Sequence, residues 1–438
     1  MSSTYLTLAA STPTSAQKGT MSCWVKRSTL GSTQYLMAWD ENSTSYSRLY
    51  FNTSDNLAFK SLDGGNNYGE LITSRGFRDT SAWYHIVCAI DTTNGTSGDR
   101  IKLYVNGVRE TSFGTETQPS VNRNLKIGEA AVYIGMAAGA GFSGSMSHIN
   151  YVDGTQYQAS DFGSTDSTTG EWKINTSPSV TYGLNGFFIL KNGNSVTDQS
   201  GQSNNFTVGG GTLTKTEDCP SNVFPIFNGM YCPKSSTNAA AFLNGGTTVG
   251  GSPSDASSIA SMGARSGKYY WEIKVQNATN TRSCGVVRSD STGVHSAGIY
   301  PGGNGNASIW TVAYNMVNGY VQKNDNGTQT QQGSLATLTT NDILGVALNL
   351  TDYEIKWYKN GSLVTTTSLS ANWVAYGEFL LPCNRTDGSQ FVQYNFGNGC
   401  FASTQLTGTT YQGTGGIGIF KYQPPTNFLA LCTRNLNI

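Results

Sequence analysis

The residues that could do chemistry are few and scattered. Ten glutamates are spread along the chain, and Glu272 and Glu354 each stand alone among strand-forming neighbours. Cleavage of a glycosidic bond needs two carboxyl groups at a set separation, and no local spacing supplies such a pair. The three histidines, His85, His148 and His295, have no serine or cysteine in a Gly-x-Ser-x-Gly setting to activate. His85, within Trp83-Tyr84-His85-Ile86-Val87, reads as a strand-packing residue. The eight cysteines contain no Cys-x-x-Cys pair, so reduced, buried thiols are expected rather than zinc. Cys219 and Cys232 are the closest pair in sequence and the one candidate for closing a loop. The loop Asp91-Thr-Thr-Asn-Gly-Thr-Ser-Gly-Asp99 gathers Asp91, Asn94 and Asp99, a conceivable calcium set, as is Asp40-Glu41-Asn42. The EF-hand pattern is missing, and Asx-rich hairpin loops explain the same residues. The glycine runs at 209–211 and 244–251 lack the lysine and helix of a phosphate cradle. No catalytic residue, metal or cofactor is therefore expected.

Aromatic side chains are the better candidates for function, since the chain has 23 Tyr and 8 Trp. Trp24, Trp83, Trp271 and Trp357 lie in strand-like alternation and should be core. Trp39, Tyr46 and Tyr68 flank loops in the first half, and Trp310, Tyr314, Tyr320 and Trp373 do so in the second. These seven are the candidate ligand- or partner-binding residues, because loops on a rigid scaffold carry function. Aromatics at loop ends also cover the rim of a sandwich.

The elements that must position them are strands. The segment Asn341-Asp-Ile-Leu-Gly-Val-Ala-Leu-Asn-Leu-Thr-Asp-Tyr-Glu-Ile-Lys-Trp-Tyr-Lys-Asn-Gly-Ser-Leu-Val364 reads as two strands and an Asn360-Gly361 hairpin. Ala82 to Asp91 followed by Arg100 to Val108 repeats the format, with Asn106-Gly107 as its turn. Helical periodicity is nearly absent; Ser254 to Gly263 alone predicts one short helical turn. At 438 residues with two such units, an all-β chain of two tandem sandwiches follows. The turn-rich stretch Asp198 to Gly211 and Thr216-Glu-Asp-Cys-Pro-Ser221 place the boundary, giving domains 1–217 and 218–438. The segment from about 165 to 216, with Tyr182-Gly-Leu-Asn-Gly-Phe-Phe-Ile-Leu190, should return strands to the first sandwich; a separate small bridging piece is the alternative.

Charged residues are 12% of the chain and the formal net charge is zero. Sequence-independent nucleic-acid binding lacks its electrostatic driver, and so does attraction to a membrane surface. Met1-Ser-Ser-Thr-Tyr5 lacks the charged head and apolar stretch of a secretory signal, and no apolar run approaches the roughly 20 residues that span a bilayer.

Trp83-Tyr84-His85 leading a strand, Leu103-Tyr-Val-Asn-Gly-Val108, Tyr5-Leu-Thr-Leu8 and Met21 to Lys26 resemble the laminin-G-like, concanavalin-type jelly roll. Ser266-Gly-Lys-Tyr-Tyr-Trp-Glu-Ile273, Asp342 to Leu348, the Trp357-Tyr-Lys-Asn-Gly361 hairpin, Tyr394-Asn-Phe-Gly397 and Phe420 to Leu431 resemble a SPRY domain. The order of the two modules is similar to that of virion structural proteins of marine tailed bacteriophages, in tail fibres and related appendages. The resemblance implies a non-enzymatic virion protein, assembled in the host cytoplasm. It implies other virion proteins as partners, a possible homo-oligomer, and host attachment through a surface glycan or receptor protein, or decoration of head or tail. Concanavalin-type glycosidases carry Glu-x-Asp-x-x-Glu on one strand, and this chain has no such cluster. A cellular lectin-like or SPRY-type adaptor is the alternative, and a polysaccharide-degrading enzyme the third reading.

Overall fold

A computed structural model describes residues 4–9, 11–191, 193–227, 241–251, 256–277, 282–291, 309–386, 388 and 390–436. The chain forms two compact units, Met1–Lys215 and Thr216–Ile438, and each is a β-sandwich of an eight- and a six-stranded sheet. Among the described residues the one α-helix is Thr433–Leu436, and no helix is long and apolar enough to cross a membrane.

In the first unit the eight-stranded sheet runs Phe113–Thr117, Asn66–Gly76, Asn56–Asp63, Ser45–Phe51, Gln34–Asn42, Val132–Ile134, Tyr5–Leu8, Thr207–Gly210. Facing it, the six-stranded sheet runs Phe187–Ile189, Gly144–Asp153, Lys18–Arg27, Tyr84–Asp91, Ile101–Val105, Val108–Arg109. The 165–216 segment thus supplies an edge strand to each sheet. Met21, Cys23 and Val25 alternate into the core with Ile86, Cys88 and Ile90. The opposite face of the same sheet is buried too: Val87, Ala89, Val152 and Phe188 pack with Ala159, Phe162 and Tyr182. Burial on both faces explains why Lys18–Arg27 is enclosed along nearly its whole length rather than on alternate residues.

The second unit has the order Ala241–Leu243, Thr248–Gly250, Phe391–Asn395, Lys268–Val275, Ile343–Asn349, Glu354–Lys359, Ser362–Ser368, with Leu429–Ala430 parallel to Tyr269 and Tyr270. Its partner sheet runs Ala256–Ile259, Leu380–Thr386, Arg282–Arg288, Trp310–Asn315, Tyr320–Asp325, Thr328–Gln332. Trp271, Trp357, Tyr314 and Tyr394 are fully enclosed between the sheets. One expectation is corrected here: Ala256–Ile259, inside the stretch expected to turn helically, is a strand paired with Leu380–Thr386. Strand pairing overrides a weak local helical preference. Cys232 and His295 lie outside the described residues. Seven cysteines are free thiols, six of them buried and Cys219 partly so.

Both Asn-Gly hairpins adopt the turn their sequence demands. Asn106 and Gly107 have φ of 49° and 80°, and Asn360 and Gly361 of 49° and 82°, the all-positive pattern of a type I′ turn. At Gly107 a Cβ would also run into the Trp172 ring, whereas at Gly64, φ 57°, it would meet nothing within 4 Å. Gly64→Ala should therefore cost about 1 kcal/mol of backbone strain, and Gly107→Ala roughly 2–4 kcal/mol once overpacking is added. Equal denaturation midpoints for the two variants would show that Trp172 does not sit on this turn.

Candidate binding rim of the second unit

Five of the seven sequence-selected aromatics are not surface residues. Trp39 and Trp373 are fully buried, as is Tyr314, while Tyr46 and Trp310 keep only 9% exposure. Trp39, Trp310, Tyr314 and Trp373 belong to the core clusters, whereas Tyr46 lies on the outer face of its strand beside Arg48. Trp39 packs on Tyr151 at 4.6 Å between ring centroids, and Tyr46 lies 3.5 Å beneath the Arg48 guanidinium. The Tyr314 hydroxyl donates to the Ala336 carbonyl oxygen. Tyr68 and Tyr320 are half-buried: Arg123 covers the Tyr68 ring at 3.3 Å, and the Tyr320 hydroxyl accepts from Asn315 Nδ2 at 3.0 Å. The structure does not bring the seven together into one surface.

The calcium candidates are likewise committed elsewhere. Asp91 accepts from the backbone N–H and hydroxyl of Thr93 and pairs with Lys18 at 3.2 Å. Asn94 caps Thr96, and Asp99 pairs with Arg109 at 2.8 Å. Among the described residues no group of three or more His, Cys, Asp or Glu is placed to hold a metal. Asp40 pairs with Arg48 and Glu41 with Lys126.

What the fold presents instead is the loop Ala371–Gly377, between the strands Ser362–Ser368 and Leu380–Thr386. Trp373 anchors it: the indole N–H donates to Asp325 Oδ1 at 2.6 Å, and its ring meets Trp310 edge-on at 5.6 Å. Arg288 lies over Trp310 at 4.7 Å, donates to the Asn372 carbonyl oxygen at 2.7 Å and grips Asp290 with two bonds of 2.6 Å. On the far side Ser289 donates to Glu378 through its hydroxyl, which also accepts from the Phe379 N–H at 3.0 Å. With both ends held, the tip projects Tyr376, which is 98% exposed. Its φ of 61° is left-handed, a conformation that costs a side-chain-bearing residue about 1–2 kcal/mol. Phe379 is 43% exposed and lies 5.6 Å beneath the Arg265 guanidinium. A strained, solvent-facing aromatic on a pinned loop is where a contact surface would be stored.

Trp373 lies in this loop but turns inward, so sequence reasoning reached the loop and missed the residue that faces out. The available signal was Tyr376-Gly377, an aromatic beside a glycine between two strands.

His85 is a buried structural group. Its ring stacks on Trp24 at 4.9 Å; Nδ1 accepts from the Trp172 indole N–H at 3.0 Å, which leaves Nε2 to donate to Ser22 Oγ at 2.9 Å. Ser22 and His85 are thus neighbours, but Trp172 occupies the nitrogen that would need an orienting acid in a catalytic triad.

The chain matches the Concanavalin A-like lectin/glucanases superfamily over residues 1–155 and the SPRY domain over 268–383. Both are predominantly binding modules. No curated protein matches the chain. Solved structures similar to it include the SPRY domain of human HERC1, 19% identical, covering 38% of this chain and 96% of its own, with a TM-score of 0.30. A SAP-like pentraxin from Limulus polyphemus is 15% identical, covering 35% of this chain and 71% of its own, with a TM-score of 0.27.

Two stability measurements check these placements. Burial pushes His85 down to about 3 and, with Lys191, His148 down to about 4, from the ordinary value of 6.5. Both stay neutral in the fold while the unfolded chain takes up protons. Their contribution is therefore complete above pH 6.5 and drains away as pH falls toward 4. His85→Gln should flatten the stability slope of the first unit between pH 6.5 and 4.5 by about 1.4 kcal/mol per pH unit, one proton's worth. An unchanged slope would mean that His85 titrates normally. In the second unit, Trp310→Ala should cost about 3–5 kcal/mol. Tyr376→Gly should leave thermal stability unchanged or raise it by up to about 1 kcal/mol through relief of strain.

Proposed function

We propose that this chain is a non-enzymatic binding protein of a tailed-bacteriophage particle, serving host attachment or, failing that, decoration of head or tail. The observation that carries the binding reading is the Ala371–Gly377 rim. There an almost fully exposed, conformationally strained Tyr376 is held out by a hydrogen-bonded loop and lies near Phe379 in sequence. Retaining about 1–2 kcal/mol of strain at an exposed tyrosine makes physical sense where that ring is used. The absence of a role in turnover is supported by the state of the chain's notable acid and base. Glu272 is enclosed by donors, and His85 is locked between Trp172 and Ser22.

The phage assignment is supported by the order of the two modules and by composition. A surface of hydroxyls and amides with few charges keeps its stability and contacts when salt varies. A second reading, a SPRY-type adaptor inside a cell, is favoured by the match over 268–383 and would use the same rim.

Mass spectrometry of purified particles should detect the chain, and particles carrying Tyr376→Ala with Phe379→Ala should lose adsorption while the protein remains folded. Normal adsorption with the double variant would remove the attachment role of this rim. Absence of the chain from particles would remove the virion role and leave the adaptor. Release of sugars from host polysaccharide by the purified protein would overturn the non-enzymatic reading.

A further inference from the structure

The rim has a charge as well as an exposed ring, and the two together narrow the ligand. Arg288 is neutralised by Asp290, and Glu378 receives the Ser289 hydroxyl. Arg265 is different. Its side chain is exposed, it lies over the Phe379 ring, and among the described residues no carboxylate pairs with it. A Cβ placed on Gly377, the residue after Tyr376, would lie 3.9 Å from Arg265 Nη1, so the guanidinium stands directly beside the projecting tip. Arg265 Cζ lies 5.6 Å from the Phe379 ring centroid, and its guanidinium has N–H donors to offer a second partner.

The strand leaving the loop gives a peptide no edge to join. An extended peptide gains affinity by adding to a free strand edge. The strand leaving the loop, Leu380–Thr386, is paired on one side with Ala256–Ile259 and on the other with Arg282–Arg288. Trp310–Asn315 is paired on both sides as well. These two strands therefore offer no main-chain ladder. The strand entering the loop, Ser362–Ser368, is a sheet edge, and a peptide added there is the competing occupant that the peptide probe reads. The loop itself presents a ring face and a planar cation. That pair suits a compact unit with an apolar C–H face for the ring and an anionic group for the fork.

Resting on the binding reading above, we infer that the Arg265–Tyr376–Phe379 rim takes an acidic saccharide unit, one carrying a carboxylate or sulfate. The anionic group is held by Arg265, and the sugar face lies on Tyr376.

The test is binding of the full chain to an array of uronic-acid-, sialic-acid- and sulfate-bearing oligosaccharides printed beside their carboxyl-reduced or desulfated counterparts, with poly-L-glutamate as the peptide probe. At least one acidic saccharide should bind and lose about tenfold or more on neutralisation, the loss expected for one charge-assisted contact. Arg265→Gln should cause a loss of the same size. Arg265→Lys should retain part of the binding, and Tyr376→Ala should abolish it without changing the melting temperature. Equal binding to neutralised sugars, no effect of Arg265→Gln, or no acidic saccharide bound would each overturn the inference. Binding of poly-L-glutamate alone, still dependent on Tyr376, would overturn the saccharide while leaving the rim as a binding surface. Loss of adsorption on Tyr376→Ala with no saccharide bound would separate failure of this ligand class from failure of the rim itself.

Discussion

Each unit depends on an enclosed ionisable side chain that ties irregular chain to the sandwich. In the first, Arg27 is fully buried. It donates to the Phe77 carbonyl oxygen at 2.6 Å and to Asp55 at 2.8 Å, while Asp55 also accepts from the Gly31 N–H at 2.8 Å. Three connections are fixed by this one ion pair. In the second, both oxygens of Glu272 are occupied: Oε1 by the Tyr422 N–H at 2.8 Å and the Tyr270 hydroxyl, Oε2 by the Lys421 N–H at 2.9 Å and Asn395 Nδ2 at 3.1 Å. Burial pushes this carboxyl up to about 7, and the two backbone N–H groups pull against that rise. Removing Asp55 would leave the Arg27 charge buried and uncompensated, which typically costs about 3–5 kcal/mol. In a chain with so few charged residues, several of them work inside as clamps rather than outside as solubilising groups.

Once the connections are fixed, the sheets can be covered on more than one face. The six-stranded sheet of the first unit is packed inward against its partner sheet and outward beneath Ala159, Phe162 and Tyr182. The hairpin Gly163–Thr165 and Trp172–Ile174 brings Trp172 over the Asn106-Gly107 turn and onto His85. A histidine that might have been reactive on an open sheet is thereby desolvated and stacked. The same enclosure is the reason no chemistry is assigned to Ser22 and His85 despite their 2.9 Å contact.

The second unit applies rigidity differently. Trp310, Trp373 and Arg288 form the base on which the Ala371–Gly377 loop stands, and the most exposed side chain sits at its tip. Buried aromatics and exposed aromatic have separate duties here: the tryptophans determine where the loop is, and the tyrosine determines what it can touch. Conformational entropy lost on binding is small when the loop is already held, which favours a pre-organised contact over an induced one.

The two Asn-Gly hairpins were legible in the residues themselves because a turn's φ angles are a local property, settled by which side chains tolerate the left-handed region. The all-β class was legible for a similar reason, since alternation and turn residues recur at short range along the chain. Exposure is not local. Trp39, Trp310, Tyr314 and Trp373 border loops in sequence, yet each turns into a core formed by strands distant along the chain, and Tyr46 is covered by Arg48. Tyr376, three residues from Trp373, faces solvent because the anchoring bonds at Asn372, Trp373 and Phe379 use partners far along the chain, Arg288, Asp325 and Ser289. The residues alone thus determined the kinds of strand and turn and the scarcity of catalytic groups. Only the tertiary structure decided which aromatics face solvent, because that depends on which second layer packs over each face.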